Sequence, residues 1–322
     1  MAAIHRSRTI CVFGGSGFVG RHLANELVRA EFAVRIATRN RQRHRDLLVL
    51  PGVELIEADI FDASSLQRLV RGSDAVINLV GILNEKRHDG SGFRRAHVDL
   101  VQRLINACHE NGVPRLMQMS ALKANADRGP SHYLRTKGRA EQLIKDMSGE
   151  ELRYTIFRPS VIFGADDSFT NRFARLLRVL PVLPLAQANA RFAPVFVGDV
   201  VQAFARALDD PGTYGRCYEL CGPEIYSLRE VIDFVRAQTG ARRIVLPLPL
   251  WLARIQAWVG DYLIPGKPFS LDNLRSLSVA SVCTENGLQA LGIKAHAMSV
   301  IAPEYLAPVV DPMARLRQST GR

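Results

Sequence analysis

The chain has 322 residues, a net charge of +11, 47% hydrophobic residues and 23% charged residues. This composition is ordinary for a globular protein, and the length suits one large unit or two domains that share a core. No apolar run approaches the roughly 18 residues that a membrane span needs. The opening stretch, MAAIHRSRTI, lacks the apolar core of a secretory signal. We therefore expect a cytoplasmic protein without a membrane span.

Strands and helices alternate in the first half of the chain. Apolar, β-branched runs predict strands at 9–13, 32–38, 53–60, 74–81, 115–121 and 154–164. Helical spacing of apolar residues predicts helices at 21–30, 64–72, 94–112 and 133–147. This alternation predicts an α/β fold, a Rossmann-like doubly wound parallel sheet with helices on both faces.

The pattern loosens after residue 164. We expect a helix interrupted by prolines over 175–187 and another helix capped near Asp199. Ser227 and Glu230 predict a capping box at the start of a further helix. These later pieces predict a smaller unit interleaved with the parallel sheet.

The five cysteines, at positions 11, 108, 217, 221 and 283, are scattered along the chain. None has a second Cys or His pair nearby, so we expect no metal site. Their odd number and the intracellular character of the sequence predict reduced, mostly buried thiols.

A glycine-rich stretch, GGSGFVG, joins the first predicted strand to the first predicted helix. Glycines at these spacings allow a tight turn, close approach of a pyrophosphate and close packing of the helix on the strand. The helix N-terminus then attracts the phosphates. Because the motif lies between a strand and a helix, we predict a dinucleotide site there. Its residues are Gly14, Gly15, Ser16, Gly17, Phe18, Val19 and Gly20.

The residue after the second strand indicates which dinucleotide is bound. An acidic residue would hold the ribose 2′-hydroxyl of NAD, but the sequence here has Arg39, followed by Arg41 and Arg43. Because guanidinium groups match phosphate oxygens, we favour NADP(H) over NAD(H). The same arginines also fit a solvated face or an anionic membrane surface. No aromatics are interleaved with them, so nucleic acid is not expected.

Asp59 follows the third predicted strand and is placed to accept a hydrogen bond from the adenine amine. The alternative is that Asp59 only begins a turn or a helix.

Tyr133 and Lys137 are spaced to share one face of a predicted helix. A neighbouring ammonium favours a phenolate and lowers the pKa of a tyrosine, which can then exchange a proton during hydride transfer. The Lys can also hold the nicotinamide ribose. This spacing is common by chance, and its position after the fifth strand of a dinucleotide fold gives it weight.

As a set, these motifs resemble the extended short-chain dehydrogenases/reductases of the epimerase/dehydratase kind. The resemblance covers about residues 8–238 and includes NLVG at 78–81, RPSVIFG from Arg158 and FAPVFVGDVVQAF from Phe192. It implies further dinucleotide contacts. The positions concerned are Ile60, Leu79, Val80, Gly81, Tyr133, Lys137 and Pro159.

This fold implies two interleaved domains. We expect a dinucleotide-binding domain over residues 1–164 that returns at about 191–212. Residues 165–190 and 213–322 are expected to form the smaller C-terminal substrate or partner domain.

The fifth strand departs from the family pattern. Active relatives carry a second hydroxyl there that polarises the substrate carbonyl, but this chain has Ser120 followed by Ala121. Loss of one such donor costs on the order of 100- to 1000-fold in rate. Ser120 is a candidate replacement, although its side chain is expected on the other face of the strand.

A closer resemblance is to the NAD(P)H-binding accessory subunit of respiratory complex I and its bacterial relatives, some linked to ubiquinone biosynthesis. It rests on YLRTKGRAE, on Arg39 and on spaced matches in the tail from Pro265 to Leu306. The resemblance implies tight NADPH binding with weak or no turnover, beside the inner face of the respiratory membrane. The alternative is an active oxidoreductase or epimerase acting on a sugar nucleotide or a hydrophobic alcohol or ketone.

One C-terminal segment, PLPLWLARIQAWVGDYLIPG, carries an apolar stripe. Its members are Leu250, Trp251, Ile255, Trp258 and Val259, with Arg254 and Asp261 outside the stripe. Three interpretations stay open: packing that closes the C-terminal domain, docking on a membrane or integral complex, and a pocket for a quinone-like lipid.

Overall fold

The computed structural model describes residues 8–262 and 269–307. Its centre is a seven-stranded parallel sheet in the order β11-β6-β5-β4-β1-β2-β3. The strands are β1 Thr9–Phe13, β2 Ala33–Thr38, β3 Val53–Glu57, β4 Ala75–Asn78, β5 Arg115–Met119, β6 Arg153–Pro159, β7 Ile162–Phe163, β8 Val182–Leu185, β9 Arg191–Phe192, β10 Val195–Phe196, β11 Arg216–Leu220, β12 Tyr226–Ser227 and β13 Ile244–Pro247.

The helices cover both faces of this sheet and build the C-terminal part. They are α1 Phe18–Arg29, α2 Ala63–Val70, α3 Ser91–Arg94, α4 Leu100–Glu110, α5 His132–Met147, α6 Thr170–Val179, α7 Val197–Asp209, α8 Leu228–Thr239, α9 Leu250–Tyr262, α10 Leu271–Ser276, α11 Gly287–Ala290, α12 Met298–Ile301 and α13 Pro303–Leu306. A π-helical segment, Arg95–Asp99, joins α3 to α4, and Arg41–Val49 forms 3₁₀ turns after β2.

The doubly wound α/β fold that the sequence predicts is confirmed. Buried strands such as β1 and β4 carry apolar side chains on both faces, and each face has its own apolar cluster. The strand order reverses between β1 and β4, which opens a crevice at the carboxyl ends of these strands. The sequence motifs of interest lie around that crevice.

A smaller set of elements follows β6. Three two-stranded sheets pair β7 with β10, β9 with β12 and β8 with β13. The capping box predicted for Ser227 and Glu230 is present at the start of α8. Strand β11, which the sequence-based division assigns to the smaller domain, is the edge strand of the large sheet because its backbone pairs with β6. The two-domain division itself stays a prediction.

Two local predictions in this part were wrong. The expected proline-interrupted helix is α6 followed by strand β8, since the prolines stop the helix and β8 pairs with β13. Asp199 does not cap α7, which begins two residues earlier. Its buried carboxylate instead accepts a hydrogen bond from the backbone N–H of His296, at 2.8 Å, and contacts the His296 ring.

The apolar stripe on α9 does not close the C-terminal part of the fold. The side chains of Leu250, Trp251, Ile255 and Trp258 are exposed, whereas the small Ala253 and Ala257 are buried. The interpretation that the large residues pack inward was therefore wrong. Small residues allow α9 to approach its neighbours closely, and this leaves the large ones outside.

The prediction that all five cysteines are reduced was also wrong. Cys221 and Cys283 form a disulfide with Cα atoms 6.0 Å apart, and Cys11, Cys108 and Cys217 are free. The two partners are 62 residues apart in sequence. They meet because the segment after α10 returns beside β9, where Ser281 pairs with Phe192.

We expect thiol titration to detect this pairing. The protein unfolded without reductant should react at three cysteines, and at all five after reduction, because only Cys221 and Cys283 are paired. Without reductant, the unfolded Cys283→Ser variant should show one more reactive thiol than the wild type, since Cys221 loses its partner. The Cys108→Ser variant should show one fewer. Five reactive thiols in unreduced wild-type protein would contradict the pairing.

Candidate dinucleotide site

The glycine turn has the geometry that close packing requires. Gly14 has φ of +78°, and a Cβ there would lie 3.1 Å from the backbone of Leu79 and Val80 at the end of β4. A Cβ on Gly20 would come within 2.4 Å of the Gly15 Cα, so only glycine allows α1 to lie this close to the turn. No side chain caps the first turn of α1. The turn therefore fits a pyrophosphate at this helix N-terminus.

The residues after β2 form an exposed basic stretch. The guanidinium groups of Arg39, Arg41 and Arg43 make no hydrogen bond or ion pair with any residue in 8–262 or 269–307. The backbone N–H of Arg41 donates to Glu57 at the end of β3, at 3.1 Å. Three cationic groups are thus left available beside the predicted ribose position.

Asp59 lies in the turn after β3 and is exposed. Its Oδ1 accepts a hydrogen bond from the backbone N–H of Phe61 at 2.9 Å. Asp59 therefore takes part in the turn, and its other carboxylate oxygen has no hydrogen bond within the described ranges. Ile60 is half-buried beside it.

Lys137 ties the ends of two strands together. Its Nζ donates to the carbonyl oxygen of Val80, at 3.3 Å, and to that of Met119, at 3.0 Å. A Cβ on Gly81 would lie 3.1 Å from the same Nζ. Burial lowers the pKa of Lys137 to about 8, an effect that the nearby Glu141 partly opposes. The structure thus brings Val80, Gly81 and Lys137 together at the crevice.

Tyr133 lies one helical turn before Lys137 but differs from the expected acid–base partner. Burial raises the pKa of Tyr133 to about 12. Its hydroxyl has no hydrogen-bond partner in the part of the chain that the structure describes, and its ring contacts His97 edge-on at 5.5 Å. The expectation that a neighbouring ammonium lowers its pKa is not met in the protein alone, because burial is the effect that sets the pKa of Tyr133.

Ser120 and Ala121 follow β5, directly after the carbonyl that Lys137 binds. The Ser120 Oγ is buried and has no hydrogen-bond partner within the described residues. Ala121 is also buried and offers no donor. The carbonyl oxygen of Pro159, at the end of β6, accepts a hydrogen bond from the backbone N–H of Leu122 at 3.0 Å. Pro159 therefore lies beside this segment.

His97 is a buried residue that the sequence analysis did not single out. Its Nε2 accepts a hydrogen bond from the backbone N–H of Ile82 at 3.1 Å. The ring proton of the neutral imidazole is therefore on Nδ1, which donates to the Thr136 hydroxyl at 2.9 Å. Burial lowers the pKa of His97 well below its usual value, and the charge of Lys137 lowers it further. Neutral His97 therefore fixes the chain after β4 against α5. Its position within an apolar helix stripe was a signal available in the sequence.

Asp272 is a second residue that sequence reasoning missed. Its carboxylate accepts the backbone N–H groups of His132, at 2.7 Å, and of Tyr133, at 3.1 Å. A negative charge at this end of α5 also complements the helix dipole. The C-terminal part therefore holds the helix that carries Tyr133 and Lys137. No local signal marks this contact, because the partners are about 140 residues apart.

The arrangement can hold a dinucleotide across the crevice and leaves a lysine and a tyrosine at its far end. A nicotinamide cofactor would supply hydride chemistry when bound. Among residues 8–262 and 269–307 there is no group of three or more side chains suited to a metal ion.

Comparison with known proteins agrees with this geometry. Residues 14–175 match the family described as NAD(P)H-binding. The chain is 30% identical to the mitochondrial NADH dehydrogenase [ubiquinone] 1 alpha subcomplex subunit 9 of Mus musculus over 306 residues, 92% of this chain and 78% of that protein. It is 28% identical to a ceramide reductase of Caulobacter vibrioides over 59% of this chain and 57% of that protein.

The fold is also that of a solved sugar-nucleotide enzyme. UDP-glucose 4-epimerase of Thermus thermophilus, solved with NAD, superposes with a TM-score of 0.72. The alignment covers 94% of this chain and 100% of the epimerase, at 21% identity. This likeness establishes the fold.

The low pKa of Lys137 predicts a pH dependence of stability. Between about pH 8 and the ordinary Lys value of 10.5, the unfolded chain binds a proton that the folded chain does not, so stability rises with pH. From pH 8 to 10 the free energy of unfolding of the cofactor-free protein should rise by about 2 kcal/mol relative to Lys137→Met. Urea unfolding at each pH measures this difference.

The matched control is Lys145→Met, since Lys145 is exposed on the same helix. The difference in free energy of unfolding between Lys145→Met and the wild type should not change from about pH 8 to 10. Parallel curves for wild type and Lys137→Met would show that Lys137 titrates normally.

Proposed function

Because the chain belongs to the NAD(P)H-binding family that includes subunit 9 of the alpha subcomplex of mitochondrial NADH dehydrogenase, we propose that it is an accessory protein that holds NADP(H) with weak or no turnover. Its setting is respiratory complex I or a ubiquinone-pathway assembly. The residues proposed for holding the cofactor are those of the glycine turn, Arg39, Asp59, Ile60, Leu79, Val80, Gly81, Tyr133, Lys137 and Pro159.

The state of the Tyr133–Lys137 pair carries the proposal of weak turnover. The Lys137 ammonium donates to backbone carbonyls at the ends of two strands, and burial raises the pKa of Tyr133 to about 12. A general acid or base works best when its pKa is near the operating pH. With its pKa raised to about 12, Tyr133 is a weaker proton donor than an ordinary tyrosine, and its phenolate is scarcer at neutral pH. In this proposal Tyr133 and Lys137 position the nicotinamide end and do not transfer a proton.

The residues beside the crevice support the same proposal. Ala121 supplies no hydroxyl where active relatives have a donor to the substrate carbonyl. Ser120 has a buried Oγ without a hydrogen-bond partner in the part of the chain that the structure describes, but a strand directs successive side chains to opposite faces. A carbonyl group in this crevice would therefore lack one of its polarising hydrogen bonds.

The preference for NADP(H) rests on the arginines after β2. Three exposed guanidinium groups without ionic partners in residues 8–262 and 269–307 suit a 2′-phosphate, which an acidic residue at the same place would repel. We assign the main phosphate contact to Arg39, with Arg41 or Arg43 as an additional partner.

The proposed setting comes from the named relatives. Because relatives are named as mitochondrial subunits of NADH dehydrogenase [ubiquinone], we place this protein in the cytoplasm, peripherally on the inner face of the respiratory membrane. None of the helices in the described ranges is long and apolar enough to cross a bilayer. We also propose that the dinucleotide domain comprises residues 1–164 with a return at about 191–212, and that residues 165–190 and 213–322 form the partner domain, although strand β11 of the latter pairs with the large sheet.

A second candidate function is an active oxidoreductase or epimerase on a sugar nucleotide or a hydrophobic alcohol or ketone. It is favoured by Tyr133 and Lys137, which keep their spacing on α5. The similarity to a ceramide reductase makes a hydrophobic ketone the more specific form of this alternative.

The Arg39→Ala variant tests the cofactor. Losing one charged hydrogen-bonding partner of the 2′-phosphate should weaken NADPH binding by about 10- to 100-fold and leave NADH affinity unchanged. Titration calorimetry with both nucleotides measures this. Arg45→Ala is the control, because the Arg45 guanidinium already donates to Gln42. Equal loss for both nucleotides would contradict a 2′-phosphate contact.

Turnover is tested on freshly purified protein. We expect native mass spectrometry to find bound NADPH, and its fluorescence to persist when carbonyl compounds and quinones are added, because Tyr133 keeps its proton. The Tyr133→Phe variant should retain the nucleotide, and its NADPH fluorescence should persist as it does in the wild type. Oxidation of NADPH by one compound, lost in Tyr133→Phe, would instead establish the enzymatic alternative.

A further inference from the structure

Helix α9 presents its large apolar residues outward. Trp251 is 63% exposed and Trp258 is 50% exposed, and Leu250, Ile255 and Tyr262 are exposed beside them. Trp251, Ile255, Trp258 and Tyr262 follow one another at helical spacing, so they form one stripe.

This orientation is fixed by contacts on the other side of the helix. A Cβ on Gly260 would come within 2.3 Å of the Phe269 carbonyl oxygen, so the inward face has no room for larger residues. Gln256 donates to the Pro184 carbonyl at 3.1 Å, and Asp261 accepts the backbone N–H of Leu271 at 2.8 Å. The helix is anchored at its middle and near its C-terminal end, with its stripe outward.

The apolar surface extends beyond α9. Ile244 and Leu246 on β13 are exposed just before the helix, and Val182 lies opposite Ile244 on β8. We call this the β13–α9 surface. Its residues are Val182, Ile244, Leu246, Leu250, Trp251, Ile255, Trp258 and Tyr262. Such a contiguous apolar surface on a globular protein marks an interaction site.

The chain from β13 through most of α9 is basic, whereas Glu85, Asp261 and Asp272 line a pocket together with Tyr262 at the end of the surface. Between Asp233 and Asp261 the sequence contains four arginines and no acidic residue. Two of these arginines, Arg242 and Arg254, are exposed and have no ionic partner among the described residues. The occupant should therefore be apolar in part and negatively charged in part.

A groove of about 590 Å³ opens at the same place. Leu250, Ile255 and Trp258 line one side, and Leu271 and Leu274 line the other. The guanidinium-bearing Arg254 and Arg275 lie at its borders. An acyl chain with an anionic headgroup matches this combination.

We propose that the β13–α9 surface binds an anionic lipid bilayer, with the Trp side chains in the interface and Arg242 and Arg254 at the headgroups. Exposed tryptophans on an apolar helix face, flanked by cations, are the features of interfacial binding. A second copy of this chain fits less well, because a two-fold interface would bring the same arginine-bearing surface from both copies together, and like charges repel. The inference deepens the proposed membrane setting and does not depend on dinucleotide binding.

The chain offers a direct probe, because its only two tryptophans are Trp251 and Trp258. Vesicles of phosphatidylcholine containing about a third phosphatidylglycerol should shift their emission to shorter wavelength and carry the protein upward in flotation. Brominated lipid should quench the emission. Vesicles of phosphatidylcholine alone should bind much more weakly, and high salt should weaken the binding to anionic vesicles.

Variants locate the binding surface. Arg242→Gln and Arg254→Gln should each lower partitioning onto anionic vesicles about fivefold. Arg139→Gln is the matched charge control, since Arg139 is exposed on α5. Trp251→Ser with Trp258→Ser should abolish flotation, whereas Val300→Ser, at another exposed apolar site, should not. NADPH affinity and circular dichroism should be unchanged in all of these variants.

Three results would overturn the proposal. Absence of flotation on anionic vesicles excludes it directly. Flotation without a change in Trp emission would mean that another face binds the lipid. If Trp emission shifts with protein concentration in the absence of vesicles, the β13–α9 surface binds a second copy of the chain instead. NADPH binding is read separately, so failure here leaves the proposed cofactor role intact.

Discussion

The placement of helix α5 is the constraint on which the candidate site depends. Its first turn is held by the Asp272 carboxylate, and its middle is held by Lys137 at the carbonyl ends of β4 and β5. His97 adds a neutral hydrogen-bonded link to the chain after β4. Sheet, helix and C-terminal part thus meet in one network, and the crevice at the strand reversal takes its shape from it.

Burial acts in opposite directions on the two groups of this helix. It favours the neutral form of each, so the pKa of Tyr133 rises while that of Lys137 falls. Glu141 limits the effect on Lys137, but this carboxylate is also engaged by Arg158. These opposite shifts are the basis of our proposal that the site holds a nucleotide and does not exchange protons.

The sequence predicted the features that depend on neighbours along the chain. The glycine turn and the Ser227–Glu230 cap each lie within a few residues, so spacing alone identifies them. The Cys221–Cys283 pair and the cap by Asp272 join residues far apart, and only the folded backbone brings them together. The α9 stripe shows a different limit of sequence-based prediction. Helical spacing identifies the two faces of a helix, but it does not tell which face packs against the rest of the protein. Ala253 and Ala257 were small enough to pack closer than the tryptophans.

The cap supplied by Asp272 has a thermodynamic consequence. Asp272 lies on α10, which also lines the groove beside α9, and it anchors α5, the helix that carries Tyr133 and Lys137. The two proposed binding regions therefore share one structural element. To whatever extent an occupant of the groove displaces α10, it changes the affinity for the dinucleotide, and the dinucleotide changes the affinity for that occupant by the same factor.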